Sequence, residues 1–167
     1  IEECDEYKIE SVLLSRYQSL LELVKQIDYT KPKIISCSYF FEKSDLKYLK
    51  SVFKKLKIGI ATNPENFDNN YFQSIAPIVD IFYYDLNIYK ETKIKTFSIY
   101  DCLDQIRFLK RLKKPIYIGG GISHKNAKLV IDNVHPNGLD ISRSLKDKNN
   151  NISEFKLKKL IHSLSVF

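Results

Sequence analysis

The sequence contains no methionine, not even at position 1, where a newly translated chain would carry one. We therefore expect a processed chain or a fragment of a longer protein. No apolar run reaches about 18 residues, so neither a membrane-spanning helix nor a membrane partner is predicted. An apolar N-terminal segment with a small-residue cleavage site is also missing, so the sequence predicts no secretory signal.

Cysteine and histidine are scarce, with three of each in 167 residues. An odd number of cysteines in a chain of this length does not make a disulfide framework, and it favours reduced thiols in the cytoplasm. These residues are scattered without the spacing of zinc ligands, so we expect no metal site and no cofactor. The order Ser–His–Asp and a nucleophile elbow are missing as well, so no serine-hydrolase triad is predicted.

The formal net charge is +7. A basic chain suits either nucleic acid or a small anion as a partner. The lysines are spread along amphipathic segments, however, and no RNA-binding motif of interleaved aromatic and basic residues is present. Residue types with A+T-rich codons are abundant, so codon bias explains much of the charge. We interpret most lysines as solvated helix faces and expect no nucleic-acid partner.

Short β-branched or aromatic runs alternate with longer segments of helical period. Strands are predicted at residues 11–15, 33–38, 57–62, 79–86, 115–120 and 138–142. Helices are predicted at residues 17–27, 43–56, 66–75, 99–112, 124–133 and 153–164. The second of these helices shows the pattern well, because its apolar residues form one stripe that suits packing against a sheet: Leu46, Leu49, Val52, Phe53 and Leu56.

The alternation is typical of an α/β fold in which helices cover a parallel sheet. A (β/α)8 barrel and an open doubly wound sheet share this pattern, and spacing alone does not separate them. A complete barrel needs roughly 200 residues or more, so a barrel here would be short by about two βα units. No linker rich in Pro, Gly or Ser interrupts the chain, which predicts a single domain over residues 1–167.

Three of the five glycines stand together at residues 119–121, between a predicted strand and a predicted helix. A tight turn needs only one glycine, whereas a run permits close approach of the backbone and leaves amide groups free for a phosphate at a helix N-terminus. We therefore favour a phosphate-binding turn made by Gly119, Gly120 and Gly121. Polar residues after the next strand have hydroxyl groups, amides and a charge suited to the same phosphate: Ser142, Arg143 and Ser144.

Asp85 is the candidate catalytic residue. It ends an otherwise apolar and aromatic strand, where a carboxylate is costly unless it is used or paired. An ion pair with a nearby lysine is the alternative interpretation. Cys37 also follows a strand, but a small buried residue is the more frequent role for cysteine there. His124 and His135 flank a predicted helix and are interpreted as exposed or capping residues.

Residues 115–147, PIYIGGGISHKNAKLVIDNVHPNGLDISRSLKD, resemble the C-terminal part of phosphoribosylanthranilate isomerase. That family has a strand ending in a Gly-Gly turn, a strand of the form P-x-G-[VL]-D-[VI]-S, and a lysine–aspartate pair before the last helix. The matching positions here are residues 119–121, residues 136–142, and Lys146 with Asp147. Residues 79–87, VDIFYYDLN, resemble the sixth strand of the family.

This resemblance implies a (β/α)8 TIM barrel in which Asp85 falls on the general acid of the family. In that register the strands near residues 11, 33 and 57 are the third, fourth and fifth, and the first two βα units are lacking. The implied activity is the Amadori rearrangement of N-(5-phosphoribosyl)anthranilate in tryptophan biosynthesis, with a phosphorylated sugar as substrate.

The chain departs from the family at two places. The family's first strand carries a K-I-C-G motif whose cysteine is the general base, and this chain contains no such motif. Arg143 and Ser144 stand where the family pattern D-V-S-S-G has serine and glycine.

Two other interpretations of the function stay open. One is a different phosphosugar barrel enzyme, of the histidine-pathway isomerase or thiamine-phosphate synthase type. The other is a degenerate barrel that binds ligands without catalysis.

Overall fold

The computed structural model describes residues 4, 6–15, 19–38, 41–90 and 93–165. The strands are β1 (Val12–Ser15), β2 (Ile34–Ser38), β3 (Lys57–Thr62), β4 (Ile81–Asp85), β5 (Asn87–Lys90), β6 (Lys93–Thr96), β7 (Ile116–Gly119) and β8 (Gly138–Leu139). The helices are α1 (Leu20–Thr30), α2 (Lys43–Val52), α3 (Asn69–Ile75), α4 (Leu103–Arg111), α5 (Ala127–Val134) and α6 (Glu154–Ser165). Within these ranges no helix combines the length and apolarity needed to cross a bilayer.

The chain divides into two compact units. The first comprises Ile1–Thr62 and Asp68–Tyr83, and the second comprises Asn63–Phe67 and Tyr84–Phe167. The division falls within β4, whose first three residues belong to the first unit. The expectation of a single domain over residues 1–167 stays a prediction.

The first unit is built on β1, β2 and β3, which pair in parallel in that order, together with the first three residues of β4. Val12 lies opposite Ile34 in the β1–β2 pair, and Ile34 lies opposite Lys57 in the β2–β3 pair. Helices α1, α2 and α3 each bury two apolar residues spaced three or four apart, as amphipathic helices against a sheet do: Leu23 and Ile27, Leu46 and Leu49, and Phe72 and Ile75.

An ion pair ties the amino-terminal end of β3 to its neighbours in the first unit. The carboxylate of Asp80 pairs with the ammonium group of Lys50 and also accepts the main-chain N–H of Ile58 at 2.7 Å. The Lys50 Nζ donates in addition to the carbonyl of Leu56 at 3.0 Å. One carboxylate thus satisfies a charge and a backbone donor where α2, β3 and β4 meet.

The second unit contains the last two residues of β4 together with β7 and β8, in that strand order. β7 and β8 pair in parallel, with Tyr117 opposite Gly138. Just past β4, the main-chain N–H of Leu86 donates to the carbonyl of Gly119 at 2.9 Å, and the N–H of Asp140 donates to Ile118 at 2.8 Å. These bonds bring the carboxyl ends of the three strands to one edge of the sheet.

Five of the six predicted strands are found with shorter ends, and β3 has the predicted bounds. The last of them is only two residues long, because the chain turns away after Leu139. Five predicted helix bounds were wrong by three residues or more: α1 ends at Thr30 rather than residue 27, α2 ends at Val52 rather than residue 56, α3 begins at residue 69 rather than 66, residues 99–102 form a 3-10 turn before α4, and α5 begins at residue 127 rather than 124. The predicted start of α1 at residue 17 lies outside the described residues.

The antiparallel hairpin of β5 and β6 was not predicted. It follows β4 directly, and Asn87 lies opposite Thr96 in its register. All four residues of β6 are exposed, so the strand has no apolar face that would mark it in the sequence. This hairpin supplies one wall of the cavity described next.

Candidate functional site

One cavity of about 460 Å³ lies at the carboxyl ends of β4, β7 and β8, and every residue that lines it belongs to the second unit. Six of the seven residues predicted for the site line it: Asp85, Gly120, Gly121, Ser142, Arg143 and Ser144. The seventh, Gly119, is the last residue of β7 and does not line the cavity. The sequence missed six further lining residues: Asn87, Tyr89, Ile94, Thr96, Ile122 and Asp140.

The carboxyl group of Asp85 is half-buried and held by two hydrogen bonds. Its Oδ1 accepts the main-chain N–H of Asn87 at 2.8 Å, and its Oδ2 accepts the hydroxyl of Tyr89 at 3.4 Å. Among the described residues no lysine pairs with it, so the alternative of a structural lysine ion pair is not what the structure shows.

Burial raises the pKa of Asp85 above the ordinary value of 3.8. The bonds from Asn87 and Tyr89 and the positive charge of Arg143 oppose this rise in pKa, while the negative charge of Asp140 adds to it. A carboxyl group that keeps its proton at higher pH than an ordinary aspartic acid is suited to donate that proton to a substrate.

The glycine turn packs directly against Asp85. Gly120 has a φ of +88°, and a Cβ at this position would collide with Oδ1 of Asp85 and lie 2.5 Å from the main-chain nitrogen of Leu86. Gly121 has a φ of +71°, but a Cβ there would meet its nearest atom, Cγ2 of Thr96, at 3.3 Å. Both positions therefore need glycine for their backbone conformation, and Gly120 also needs it to make room for the carboxyl group.

The turn after the three glycines differs from the expected helix N-terminus. The side chain of Asn126 accepts the main-chain N–H of Ser123 at 2.8 Å and donates to the carbonyl of Gly121 at 3.2 Å. Because Asn126 occupies the Ser123 amide and α5 begins only at Ala127, the expectation that a helix starting near Ser123 aims its first amides at an anion was wrong.

The segment 142–144 faces the glycine turn. Ser144 Oγ donates to the carbonyl of Ile122 at 2.5 Å, which joins the two segments directly. Arg143 and Ser144 open the 3-10 turn Arg143–Leu145, whose first N–H groups have no acceptor within the turn itself. Within the described residues, the N–H groups of Ile122, Arg143 and Ser144 have no protein acceptor. These groups are suited to an anionic ligand.

Arg143 lies on the hairpin wall of the cavity. Its Nη2 donates to Tyr89 Oη at 2.7 Å, and its guanidinium carbon lies 5.3 Å from the centre of the Tyr89 ring. The buried amide of Asn87 is best satisfied when its nitrogen donates to Thr96 Oγ1 at 2.6 Å and its oxygen accepts from Arg143 at 3.2 Å and from the Gly121 N–H at 3.3 Å. Arg143 thus connects the hairpin with the glycine turn.

The remaining candidate residues take structural roles. Cys37 is fully buried in the first unit, and burial raises the pKa of its thiol to about 12, so it holds no reactive thiolate at neutral pH. All three cysteines are free of disulfide bonds. His135 caps the end of α5, donating its N–H to Ile131 at 2.8 Å from a left-handed conformation. In the described ranges no three metal-ligating side chains form a cluster.

No protein-family model matches this chain. N-(5'-phosphoribosyl)anthranilate isomerase 2 of Methanosarcina mazei is 29% identical to it over 86 residues, which make up 51% of this chain and 38% of that relative. The match therefore spans well under half the length of the relative.

Two solved structures show the same fold at low sequence identity. N-(5'-phosphoribosyl)anthranilate isomerase from Pyrococcus furiosus has a TM-score of 0.69 and 20% identity over 93% of this chain and 73% of its own. 3-Keto-L-gulonate-6-phosphate decarboxylase from Vibrio cholerae has a TM-score of 0.70 and 14% identity over 99% of this chain and 77% of its own. The resemblance to phosphoribosylanthranilate isomerases is confirmed, and the chain has the α/β fold of those enzymes.

Proposed function

We propose that this chain carries the acid and phosphate-binding part of a phosphoribosylanthranilate isomerase. The reaction is the Amadori rearrangement of N-(5-phosphoribosyl)anthranilate in tryptophan biosynthesis. The observation that carries the proposal is a single cavity in which Asp85, with its raised pKa, lies against a glycine turn that faces the segment 142–144. The similarity to the Methanosarcina mazei isomerase supports the substrate assignment.

The geometry divides the work between the two sides of the cavity. Asp85 protonates the ring oxygen of the ribose so that the furanose opens, and a base then removes the proton from C2. The phosphate is anchored by Gly120 and Gly121 of the glycine turn, by the N–H groups of Ile122, Arg143 and Ser144, and by the charge of Arg143. Anchoring one end of the sugar holds its ring oxygen near the acid.

The general base is proposed to lie in two βα units that precede β1. This chain has no K-I-C-G motif, and Cys37 is too deeply buried to act as that base. β1 is the end strand of the order in its unit, and two of its apolar side chains are exposed, Val12 at 42% and Leu14 at 72%. Val12 and Leu14 lie on one face of this end strand, where the helix of a further βα unit would cover them, while its strand would pair with the open edge.

The proposal is tested with the chain and with a longer product of the same gene that includes any upstream strands. Conversion of N-(5-phosphoribosyl)anthranilate by the longer protein, lost in its Asp85→Asn variant, is the expected result. Retention of turnover in that variant would refute Asp85 as the acid. The chain alone should bind ribose 5-phosphate in isothermal titration whether or not it turns over the substrate.

A different phosphosugar enzyme is the second candidate function. The fold match to 3-keto-L-gulonate-6-phosphate decarboxylase covers 99% of this chain, and the anion-binding groups serve any sugar phosphate. A phosphate-binding site of this kind would also suit an enzyme of the histidine-pathway isomerase type or the thiamine-phosphate synthase type, or a non-catalytic barrel that binds sugar phosphates. A panel of phosphosugars offered to the longer protein separates these cases, since only the isomerase proposal expects turnover of the anthranilate derivative.

A cytoplasmic location and the lack of a cofactor stay predictions.

A further inference from the structure

The hydroxyl group of Tyr89 stands between the two charged side chains that the proposed reaction uses. It donates to Oδ2 of Asp85 at 3.4 Å and accepts from Nη2 of Arg143 at 2.7 Å. The guanidinium carbon of Arg143 lies 5.3 Å from the centre of the Tyr89 ring, close enough for a cation–π contact. The tyrosine is therefore held by Arg143 through both its ring and its hydroxyl group.

We propose that Tyr89, which Arg143 holds in place, is a positioning residue that fixes the carboxyl group of Asp85 in the orientation needed to protonate the substrate. This inference rests on the proposed role of Asp85 as the acid. The functions proposed for the glycine turn and for the phosphate-binding groups do not involve Tyr89, so its role is a separate inference.

The two hydrogen bonds of Asp85 reach different oxygens, and this difference gives Tyr89 its role. Oδ1 accepts the main-chain N–H of Asn87 and packs against Gly120, so this oxygen is enclosed. Oδ2 is then the oxygen that carries the transferable proton. One of its lone pairs accepts from Tyr89, which leaves the other for the proton and fixes the direction in which the proton points.

The charged and titratable groups that act on Asp85 come from three parts of the second unit. Tyr89 is on the hairpin, Asp140 follows β8, and Arg143 is in the 3-10 turn. The Tyr89 hydroxyl bond favours the charged form of the carboxyl group, because it donates to the carboxylate. Removing the hydroxyl group while keeping the ring should therefore raise the pKa of Asp85.

The test compares Tyr89→Phe with Tyr100→Phe in the full chain. Tyr89 and Tyr100 are similarly exposed, 54% and 56%, and Tyr100 does not line the cavity, so it is a matched control. The titration of Asp85 is followed by carbon-13 NMR of the aspartate carboxyl groups, with its signal assigned through Asp85→Asn. We expect the midpoint to move to higher pH in Tyr89→Phe and to stay unchanged in Tyr100→Phe. A midpoint in Tyr89→Phe that stays at the parent value, or falls, overturns the proposal.

The titration needs no turnover, so it reads the role of Tyr89 even if the isomerase assignment fails. In a protein that turns over N-(5-phosphoribosyl)anthranilate, Tyr89→Phe should lower kcat about ten-fold and change KM little, because a misdirected acid affects the transition state. A raised KM at unchanged kcat would mean that Tyr89 only binds substrate, and would refute the positioning role. Thermal melting of both variants checks that they fold as the parent does.

Discussion

Replacing Gly120 by alanine should damage both the fold and the acid, and Gly121→Ala in the same turn is the matched control. Both residues have a positive φ, +88° and +71°, so each variant should lose about 1–2 kcal/mol from backbone strain. They differ in what the new methyl group meets. At Gly120 it collides with the Asp85 carboxyl and with main-chain nitrogens of Leu86 and Asn87, whereas at Gly121 it meets only the side chains of Thr96 and Asn87, at 3.3 Å or more.

The size of the collision sets the expected difference. The Leu86 nitrogen would lie 2.5 Å from the new Cβ, and an ordinary contact begins at 3.4 Å, so the connection after β4 must move by about 0.9 Å. We expect this movement to add about 1–2 kcal/mol to the strain, for a total of about 2–4 kcal/mol. In a chain of this size the total corresponds to a fall in Tm of about 4–16 °C, against about 2–8 °C for Gly121→Ala.

Thermal melting followed by circular dichroism measures this difference, and the order of the two variants is the decisive readout. The movement also separates Oδ1 of Asp85 from the Asn87 N–H, so the NMR midpoint of Asp85 should rise in Gly120→Ala and stay near the parent value in Gly121→Ala. Equal melting temperatures in the two variants would mean that the collision is relieved without cost, and would refute the argument that Gly120 makes room for the acid.

Asp85→Asn should abolish turnover and leave the affinity for ribose 5-phosphate nearly unchanged, since the amide keeps the volume and lacks the acidic proton. Because the pKa of Asp85 is raised in the folded protein, the parent loses stability as the pH rises from the ordinary value of 3.8 through the raised pKa. Asp85→Asn should therefore melt at a higher temperature than the parent above that pH range and at the same temperature below it. The reverse order would contradict the direction of the pKa shift. Arg143→Gln should weaken the binding of inorganic phosphate about ten-fold in isothermal titration. Lys148→Gln, which removes the same charge outside the cavity, should change the affinity by less than about two-fold. Equal losses of affinity would mean that only the long-range charge of Arg143 matters. Asp80→Ala should lower the free energy of unfolding, measured with urea, by about 1–3 kcal/mol, because the Ile58 N–H loses its acceptor. Asp104→Ala removes an exposed ion pair with Arg107 and should change it by less than about 0.5 kcal/mol. Similar values for the two variants would mean that the bond to the Ile58 N–H does not stabilise the fold.

The fold was predictable where one residue pattern had one explanation. β2 and β3 are short apolar runs with helical segments between them, and their parallel pairing follows from that alternation. The hairpin of β5 and β6 was not predictable in this way, because its second strand, Lys93–Thr96, is exposed throughout and lysine-rich. Its sequence carries no apolar alternation that separates a strand from a loop.

The start of α5 shows a different cause of error. Ser123 precedes an apolar helical segment and is a common N-cap residue. In the structure the Asn126 side chain accepts the Ser123 N–H and the Ser123 hydroxyl accepts the Lys125 N–H, yet residues 124–126 form a turn and the helix begins at Ala127. A favourable N-cap residue in the sequence therefore does not fix where the helix starts.

Much of the candidate site was predictable because parallel strands end at one edge of a sheet. Asp85, Gly120 and the segment 142–144 follow three different strands, and they meet for that reason. The contact between Tyr89 and Arg143 was not predictable, since it joins residues 54 positions apart through a hairpin that the sequence does not mark. The same hairpin explains why an arginine fits at position 143, because Tyr89 and Asn87 give its guanidinium group acceptors inside the cavity.

The contact between Gly120 and Asp85 also changes how phosphate binding has to be tested. A bulky residue at position 120 is the direct way to block close approach of a phosphate to the turn. In this structure the same substitution first displaces the carboxyl group of Asp85 and the backbone after β4. A loss of phosphate affinity in Gly120→Val would therefore not separate a damaged anion site from a damaged fold. Arg143 provides the cleaner test, because its side chain lines the cavity and its replacement leaves the glycine turn and the Asn87 N–H bond to Asp85 in place. Comparison with Tyr89→Phe then shows how much of any effect comes from the orientation of the acid.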